Sequence, residues 1–400
     1  MPLLMELIDK KEINNDVCGF IYVDSNIAAD DLAARIASSS WAGVDIEGSS
    51  LHSFNDNVSL IQICIEDGIF IVDPFCGIDV TAVIDALSET DIIFHGGDYD
   101  LRMLLADFGF RPKRRVYDTM IGAELLGFEG IGLAAVIKEL FGIEISKTGQ
   151  KSNWTIRPLS DSQLEYASTD VLYLKRLRDE LTARLEVLGR EDWWRQCCER
   201  LVERSGENKN DPDKEPWRVK GARDLDPSQL RYLQALWNWR NDVARELNRP
   251  VFKITGNDVL LNMAIWLDAN PGKNPKKFSS FPKMCRGRHY DSMLEHIKAA
   301  KKLEKSKWPS HIIKRQKYWV EVDKELLEQI KDCVNTKAEQ LGLKPQLLVT
   351  RARLEAIARS MPKTTSQLAA IADLMEWQKE LVAEDMLGVL AKFQNIEPDI

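Results

Sequence analysis

The hydrophobic pattern changes once along the chain, from the short apolar runs typical of strands to the three-to-four-residue spacing typical of helices. The strand-like runs are rich in β-branched residues and are WAGVDIE (41–47), VSLIQICIE (58–66), GIFIVDPF (68–75) and IIFHGG (92–97). Glu66-Asp67-Gly68 separates two of these runs and predicts a hairpin turn. Helical spacing predicts one helix over DYDLRMLLADFGF (98–110) and another over SDSQLEYASTDVLYLKRLRDEL (160–181).

The second half of the chain is helical in pattern. DPSQLRYLQALWNWRNDVARELN (226–248) begins at Asp-Pro and carries an apolar stripe, and DKELLEQIKDCVNTKAEQLG (323–342) opens a second helical block. Pro250 precedes Thr255 by five residues, and Pro345 precedes Thr350 by five, each followed by a helix rich in Leu and Ala. The two blocks therefore indicate a diverged repeat.

Four acidic residues and one tyrosine fall where local structure directs them inward. Asp45 and Glu47 are two apart on a strand and share one face. Asp100 lies in the first turn of a helix just after a strand, and Tyr166 and Asp170 are four apart on one helix face. Buried carboxylates that converge need cations, and oxygen ligands favour Mg²⁺ or Mn²⁺. The set therefore indicates metal-dependent phosphoryl chemistry.

Each piece also has an ordinary structural interpretation. An Asp-x-Glu pair is common on a solvated strand face, and an aspartate near a helix start commonly caps the helix. A Tyr-x-x-x-Asp pair on a helix has little meaning alone. What favours a site is the order of the three pieces together with the elements that carry them.

These three segments resemble the motifs of the DEDD exonuclease superfamily, in the branch that carries a tyrosine. Glu165 stands where the other branch carries a histidine. Further resemblance, over roughly residues 20–200, is to ribonuclease D, in Tyr117-Asp118-Thr119, Gly132-Leu133 and SKTGQKSNWTIRPLS (146–160). The family pattern places Leu after the acidic ligand, which favours Asp100 over Asp98 and makes Asp98 a candidate helix cap.

The resemblance implies a ribonuclease H-like α/β fold, a mixed sheet flanked by helices, that acts as a 3′-5′ exoribonuclease. It implies two divalent cations, Mg²⁺ or Mn²⁺, held by Asp45, Glu47, Asp100 and Asp170, with Tyr166 orienting the attacking water. The expected substrates are tRNA precursors and other structured RNA with single-stranded 3′ tails, shortened with release of nucleoside 5′-monophosphates. The alternatives are a 3′-5′ DNA exonuclease and a non-catalytic RNA-binding scaffold.

Several other residues are candidate substrate contacts, each with a structural alternative. They are His95, Lys147, Gln150, Lys151, Trp154 and Arg157. Leu51 and Phe54 follow the first motif and are candidates to contact the terminal base. Asp118 and Thr119 are expected to cap the helix TMIGAELLG.

The repeat resembles the HRDC helical module, more clearly in its first copy than in its second. The predicted organisation is an exonuclease domain over 1–204, a polar linker over 205–216 and two all-α HRDC-like domains over 217–310 and 311–400. Two bundles that only shape the enzyme are the alternative to modules that bind nucleic acid.

Charge separates the two halves of the chain. Residues 1–200 carry 19 Lys and Arg against 34 Asp and Glu, whereas the other residues carry 35 against 28, which gives the net charge of −8. Residues 271–320 hold 14 Lys and Arg and three acids, interleaved with aromatic residues, so attraction of phosphates is expected in the second half. A solvated linker is the alternative for 301–317.

Composition restricts the class of protein further. The seven cysteines form no Cys-x-x-Cys pair, which predicts reduced thiols, and there is no Gly-rich Lys-Ser/Thr loop, which predicts no nucleotide cofactor. The chain has no run of eighteen apolar residues and no signal-peptide pattern. We therefore expect a monomeric cytoplasmic protein that does not bind membranes.

Overall fold

The computed structural model describes residues 19–146, 149, 152–207, 215–310 and 322–394. Its contacts divide the chain into two compact units. The sheet unit comprises the described residues of 1–47, 58–207 and 318–400, and the helical unit comprises those of 48–57 and 208–317. Among the described residues, no helix is both long enough and apolar enough to cross a membrane.

A six-stranded mixed sheet forms the centre of the sheet unit, which confirms the predicted α/β class. The strands are Phe20–Val23 (β1), Trp41–Gly48 (β2), Val58–Ile65 (β3), Gly68–Val72 (β4), Asp91–Phe94 (β5) and Val116–Asp118 (β6), in the order β1-β4-β3-β2-β5-β6. Strands β3 and β4 form the predicted antiparallel hairpin, with Ile65 opposite Gly68. The pairs β1–β4, β2–β5 and β5–β6 are parallel.

Among the described residues, eight helices of the sheet unit precede residue 208. They are Asn26–Ser38 (α1), Thr81–Ser88 (α2), Asp98–Phe108 (α3), Thr119–Leu125 (α4), Leu133–Phe141 (α5), Asp161–Leu172 (α6), Leu174–Val187 (α7) and Glu191–Gly206 (α8). The sequence predicts a single helix from residue 160 to 181, and this prediction is wrong in one respect. The structure has two helices there, α6 and α7, which are separated at Tyr173. The start of α6 is as expected, since Ser160 and Gln163 form a capping box.

The helical unit is built from four α-helices among its described residues. They are Pro227–Glu246 (α9), Val251–Ile254 (α10), Asn257–Ala269 (α11) and Arg288–Lys302 (α12). Asp226 and Gln229 cap α9 reciprocally and Pro227 occupies its first turn, as the Asp-Pro start predicts. Leu230, Leu233 and Leu236 are fully buried along the predicted apolar stripe.

The C-terminal helices return to the sheet unit. They are Lys324–Leu341 (α13), Pro345–Leu348 (α14), Arg351–Ser360 (α15), Thr365–Ala372 (α16) and Glu376–Gln394 (α17). The order α10–α11 in the helical unit matches α14–α15 here, as the Pro-Thr repeat predicts.

One continuous hydrophobic core joins these C-terminal helices to α4, α5, α7 and α8. The rings of Trp193 and Trp377 stack with centroids 4.8 Å apart. The buried Arg190 donates to the carbonyl oxygens of Leu125 and Leu341, each at 2.7 Å. The second helical block therefore shares its core with helices that follow the sheet, although the domain boundaries predicted from the sequence remain a prediction.

Candidate active site

Strand β2 presents two carboxylates on one face. Val44 and Ile46 are buried in the core on the opposite face, so Asp45 and Glu47 point to the other side, as the alternation predicts. A Cβ at Gly43 would lie 3.2 Å from Leu174 and 3.6 Å from the Val171 carbonyl oxygen. Glycine therefore lets the α6–α7 segment approach the strand closely on the face that carries the carboxylates.

Helix α3 supplies the third acid. Asp100 is 7% exposed, and its Oδ1 accepts a hydrogen bond of 3.1 Å from the backbone N–H of Ile46, between Asp45 and Glu47. Asp98 is exposed and forms an ion pair of 2.7 Å with Arg102. The structure thus favours Asp100 as the inward acid, and the prediction that Asp98 caps the helix is wrong, because Gly97 holds that position.

A fifth buried carboxylate, Asp118, holds the turn that precedes Asp100. Its Oδ1 accepts from the backbone N–H of Gly96 at 3.0 Å, and its Oδ2 accepts from Gly97 at 2.8 Å. The same Oδ1 also caps α4, through Met120 and Ile121. The expected cap is confirmed for Asp118 and is wrong for Thr119, whose hydroxyl donates to the Phe94 carbonyl oxygen instead. Sequence reasoning missed the bonds from Asp118 to the turn. The signal for them was an aspartate at the end of a strand next to the one that carries Gly96-Gly97.

Helix α6 brings Tyr166 and Asp170 to the same place. One carboxylate oxygen from each of Asp45, Glu47 and Asp170 lies within 4.8 Å of the other two. The Asp170 carboxylate lies close enough to the Tyr166 hydroxyl to raise the pKa of the phenol. The structure therefore brings together residues that are up to 125 positions apart in the sequence.

Burial and mutual repulsion make these acids hold protons tightly. Burial, followed by Asp100, Asp170 and Glu47, raises the pKa of Asp45 well above its ordinary value. Burial, followed by Asp170 and Asp100, raises the pKa of Glu47 to about 9. Burial raises the pKa of Asp100 to about 7, although backbone N–H groups stabilise its carboxylate, and burial raises the pKa of Asp170 to about 7. Cations would allow all four to ionise together.

The Tyr166 side chain keeps its proton at this site. Burial raises its pKa above the ordinary value for tyrosine, and the Asp170 and Glu47 carboxylates raise it further. The phenol is therefore protonated at neutral pH and is unsuited to remove a proton from water. Gly149 lies against its ring, where a Cβ would collide with Tyr166. Sequence reasoning gave Gly149 no role.

Three of the predicted substrate contacts have structural partners. His95 Nδ1 lies 2.8 Å from the Thr119 hydroxyl, which itself donates to the Phe94 carbonyl oxygen. Trp154 is 2% exposed and packs with its ring centroid 6.2 Å from that of Tyr166. In this arrangement, Trp154 is a core side chain that backs Tyr166 and presents no free face for stacking a base.

Arg157 is fully engaged within the sheet unit. Its guanidinium forms a bidentate pair with the buried Asp73 and donates to the carbonyl oxygens of Trp154, Ile156 and Ser59. These contacts use all five of its N–H donors, which leaves none for a phosphate. Lys147, Gln150 and Lys151 lie outside the described residues, so their roles remain predictions.

Comparison with known proteins agrees with this arrangement. Residues 20–186 match the 3′-5′ exonuclease family, and residues 229–272 and 323–390 match the HRDC domain. The chain is 29% identical to ribonuclease D of Xanthomonas oryzae over 365 residues, covering 87% of this chain and 92% of that protein. It is 26% identical to ribonuclease D of Musicola paradisiaca over 377 residues, covering 92% and 98%.

Two solved structures share the fold over nearly the whole chain. A protein from Bifidobacterium adolescentis superposes with a TM-score of 0.76 at 22% identity, covering 93% of this chain and 97% of that one. RNase D of Escherichia coli, described as an exoribonuclease involved in structured RNA processing, superposes with a TM-score of 0.70 at 23% identity, covering 94% and 99%. Its exonuclease and HRDC matches, together with relatives along nearly the full length, identify the chain as a 3′-5′ exoribonuclease that resembles ribonuclease D.

Proposed function

We propose that the protein shortens single-stranded 3′ tails of structured RNA, such as tRNA precursors, with two divalent cations held by Asp45, Glu47, Asp100 and Asp170. The observation that carries the proposal is the convergence of the half-buried Asp45, Glu47 and Asp170 carboxylates, whose pKa values are raised. The strongest influences on these pKa values are burial, neighbouring acids, backbone N–H groups and the nearby Tyr166 hydroxyl. No cationic side chain is among them, so the donor set fits Mg²⁺ or Mn²⁺.

The residues of the site have different roles in the proposed hydrolysis. When bound, the cations lower the pKa of water and stabilise the negative charge that develops on the scissile phosphate. Tyr166 donates a hydrogen bond at the carboxylate face and orients the attacking water. Asp118 fixes the Gly96-Gly97 turn and hence Asp100. Water attacks phosphorus, the bond to the upstream 3′ oxygen breaks, that oxygen takes up a proton, and a nucleoside 5′-monophosphate leaves.

The test is a time course on a 5′-labelled stem-loop RNA with a short 3′ tail, in Mg²⁺, in Mn²⁺ and in EDTA. A metal-dependent ladder that shortens from the 3′ end is expected, and Asp45→Asn, which keeps the side-chain shape, should abolish it. The same assay on matched DNA tails tests the choice of nucleic acid. Shortening of DNA at least tenfold faster than RNA would refute the proposal that RNA is the substrate. Binding with no shortening under any metal would favour a non-catalytic scaffold. Monomeric state and cytoplasmic location remain predictions.

A further inference from the structure

The loop that follows the catalytic strand folds as a small closed unit. It begins after Glu47, and Ser49 is buried at its base. The backbone N–H of Ser49 donates to the Asn57 carbonyl oxygen at 3.0 Å, and the Ser49 hydroxyl accepts from the Asn57 N–H at 2.9 Å. The same hydroxyl donates to the Asn55 carbonyl oxygen at 3.0 Å. These bonds hold the two ends of the loop together.

This loop packs within the helical unit. Phe54 joins the hydrophobic core of that unit, and its backbone N–H donates to Asn248 Oδ1 at 3.2 Å. The Arg245 guanidinium lies 5.1 Å from the centre of the Phe54 ring. Asn248 has a left-handed backbone, φ 44°, in the turn between α9 and α10. The loop 49–57 and the segment 248–254, which comprises this turn and α10, therefore form one surface. It is called here the loop–turn surface.

The exposed part of the loop–turn surface combines apolar and basic side chains. Leu51 is 46% exposed and Phe252 is 56% exposed. Arg249 and Lys253 are exposed beside Phe252 in the chain, and neither side chain forms an ion pair with another described residue. The neighbouring acids of α9 are occupied, since Asp242 pairs with Arg245 and Glu246 pairs with Arg288. The loop itself carries one exposed acid, Asp56, so the surface keeps a net positive charge from Arg249 and Lys253 next to apolar side chains.

We propose that the loop–turn surface binds the single-stranded RNA just upstream of the nucleotide being removed. Arg249 and Lys253 contact phosphates, and Leu51 and Phe252 contact bases, the combination that single-strand binding grooves use. Leu51 is four residues from Glu47, so even an extended chain separates them by at most about 14 Å. This lies within the few nucleotides that such a groove covers. The inference rests on the proposed exoribonuclease function and assigns part of its substrate path to the first HRDC module.

The experiment measures kcat and KM on RNA with tails of two, four, six and eight nucleotides. The test variant is Arg249→Gln with Lys253→Gln. The control is Lys113→Gln with Lys138→Gln, which removes the same charge from two exposed lysines of the sheet unit that pair with Glu89 and Glu144. The test variant should raise KM about tenfold on the longest tail at 0.1 M salt, with kcat little changed. The ratio of its KM to that of the wild type should grow with tail length.

Salt dependence and a base-contact variant give independent readouts. Losing two phosphate contacts should reduce the slope of log KM against log salt by about 1.4, at about 0.7 for each contact to a single strand. Phe252→Ala should raise KM severalfold without changing that slope. Equal effects in the test and control pairs, or an effect independent of tail length, would overturn the proposal. A wild-type protein that shortens no tail would instead refute the proposed function itself.

Discussion

Substituting Asp118 by asparagine should damage the active site without touching a metal ligand. Asparagine keeps the shape of the side chain, and its oxygen can still accept from Gly96, Met120 and Ile121. Its amide nitrogen, however, would face the Gly97 N–H, which now lies 2.8 Å from Oδ2. One hydrogen bond to a charged group is replaced by two opposed donors in a buried site, at a cost of about 1.5–3 kcal/mol.

The turn can relieve this conflict only by moving, and α3 begins at its end. Asp100 lies three residues after Gly97, so a shift of the turn moves its carboxylate relative to β2. A displacement of about 1 Å in a catalytic group can cost about 10²-fold in rate. We therefore expect kcat to fall by about 10–10²-fold and the Mg²⁺ concentration for half-maximal activity to rise severalfold.

The assay is the initial rate on a tailed RNA across a Mg²⁺ titration, together with urea unfolding. Two controls separate positioning from stability. Asp323→Asn makes the same change at a cap where one oxygen accepts both N–H groups, from Glu325 and Leu326, so it should be nearly neutral. Ile330→Val should cost about 1 kcal/mol in the buried core without affecting the Mg²⁺ requirement. If Asp118→Asn is destabilised but keeps wild-type kcat and Mg²⁺ dependence, the positioning argument is refuted.

Four further outcomes are expected. Asp45→Asn should lower kcat by at least about 10³-fold yet raise resistance to urea in EDTA, because it removes one of the repelling carboxylates; equal losses of RNA affinity and rate would contradict the assignment. Tyr166→Phe should lower kcat by about 10²-fold with KM little changed, and an unchanged rate would leave Tyr166 as a packing residue. In EDTA, unfolding free energy should fall as pH rises from about 4.5 to about 9, by about 1.4 kcal/mol per pH unit for each acid that must ionise. The unfolding free energy falls with rising pH because the pKa of each acid is higher in the folded state than in the unfolded state. Saturating Mg²⁺ should make this pH dependence smaller. Ending the chain after residue 310 should give aggregated protein that binds a hydrophobic dye, because it exposes the core shared with the C-terminal helices.

Local patterns were enough to predict most elements and the face of the strand or helix on which several candidate site residues lie. Alternation located β2 and placed Asp45 and Glu47 on one face, and helical spacing placed Tyr166 beside Asp170. These predictions need only the period of a strand or a helix, which the chain carries within a few residues. Periodicity does not show that the three segments meet in space. That prediction came from the order of the motifs, which resembles a known superfamily.

Polar partners distant in sequence were the part that local patterns missed. Arg157 was a candidate phosphate contact, but Asp73, 84 positions earlier, holds it. Trp154 was a candidate for base stacking, but it is buried against Leu60 and Leu159. Each side chain has the right chemistry for either role, and only the tertiary structure shows that a protein partner occupies it. Similarly, no local pattern in the sequence of residues 48–57 predicts that this loop packs within the helical unit.

Helix α8 explains why the C-terminal block belongs to the catalytic fold. On one side, Trp194 donates its indole N–H to the Asp118 carbonyl oxygen at 2.8 Å, and Cys198 Sγ accepts from the Asp118 N–H at 3.3 Å. On the other side, Trp193 stacks on Trp377 and Arg200 donates to the Asp373 carbonyl oxygen at 2.6 Å. The helix that supports Asp118 is thus itself held by the second HRDC module. Since Asp118 holds the turn before Asp100, we expect loss of that module to disturb the geometry of the site, whether or not the module contacts RNA.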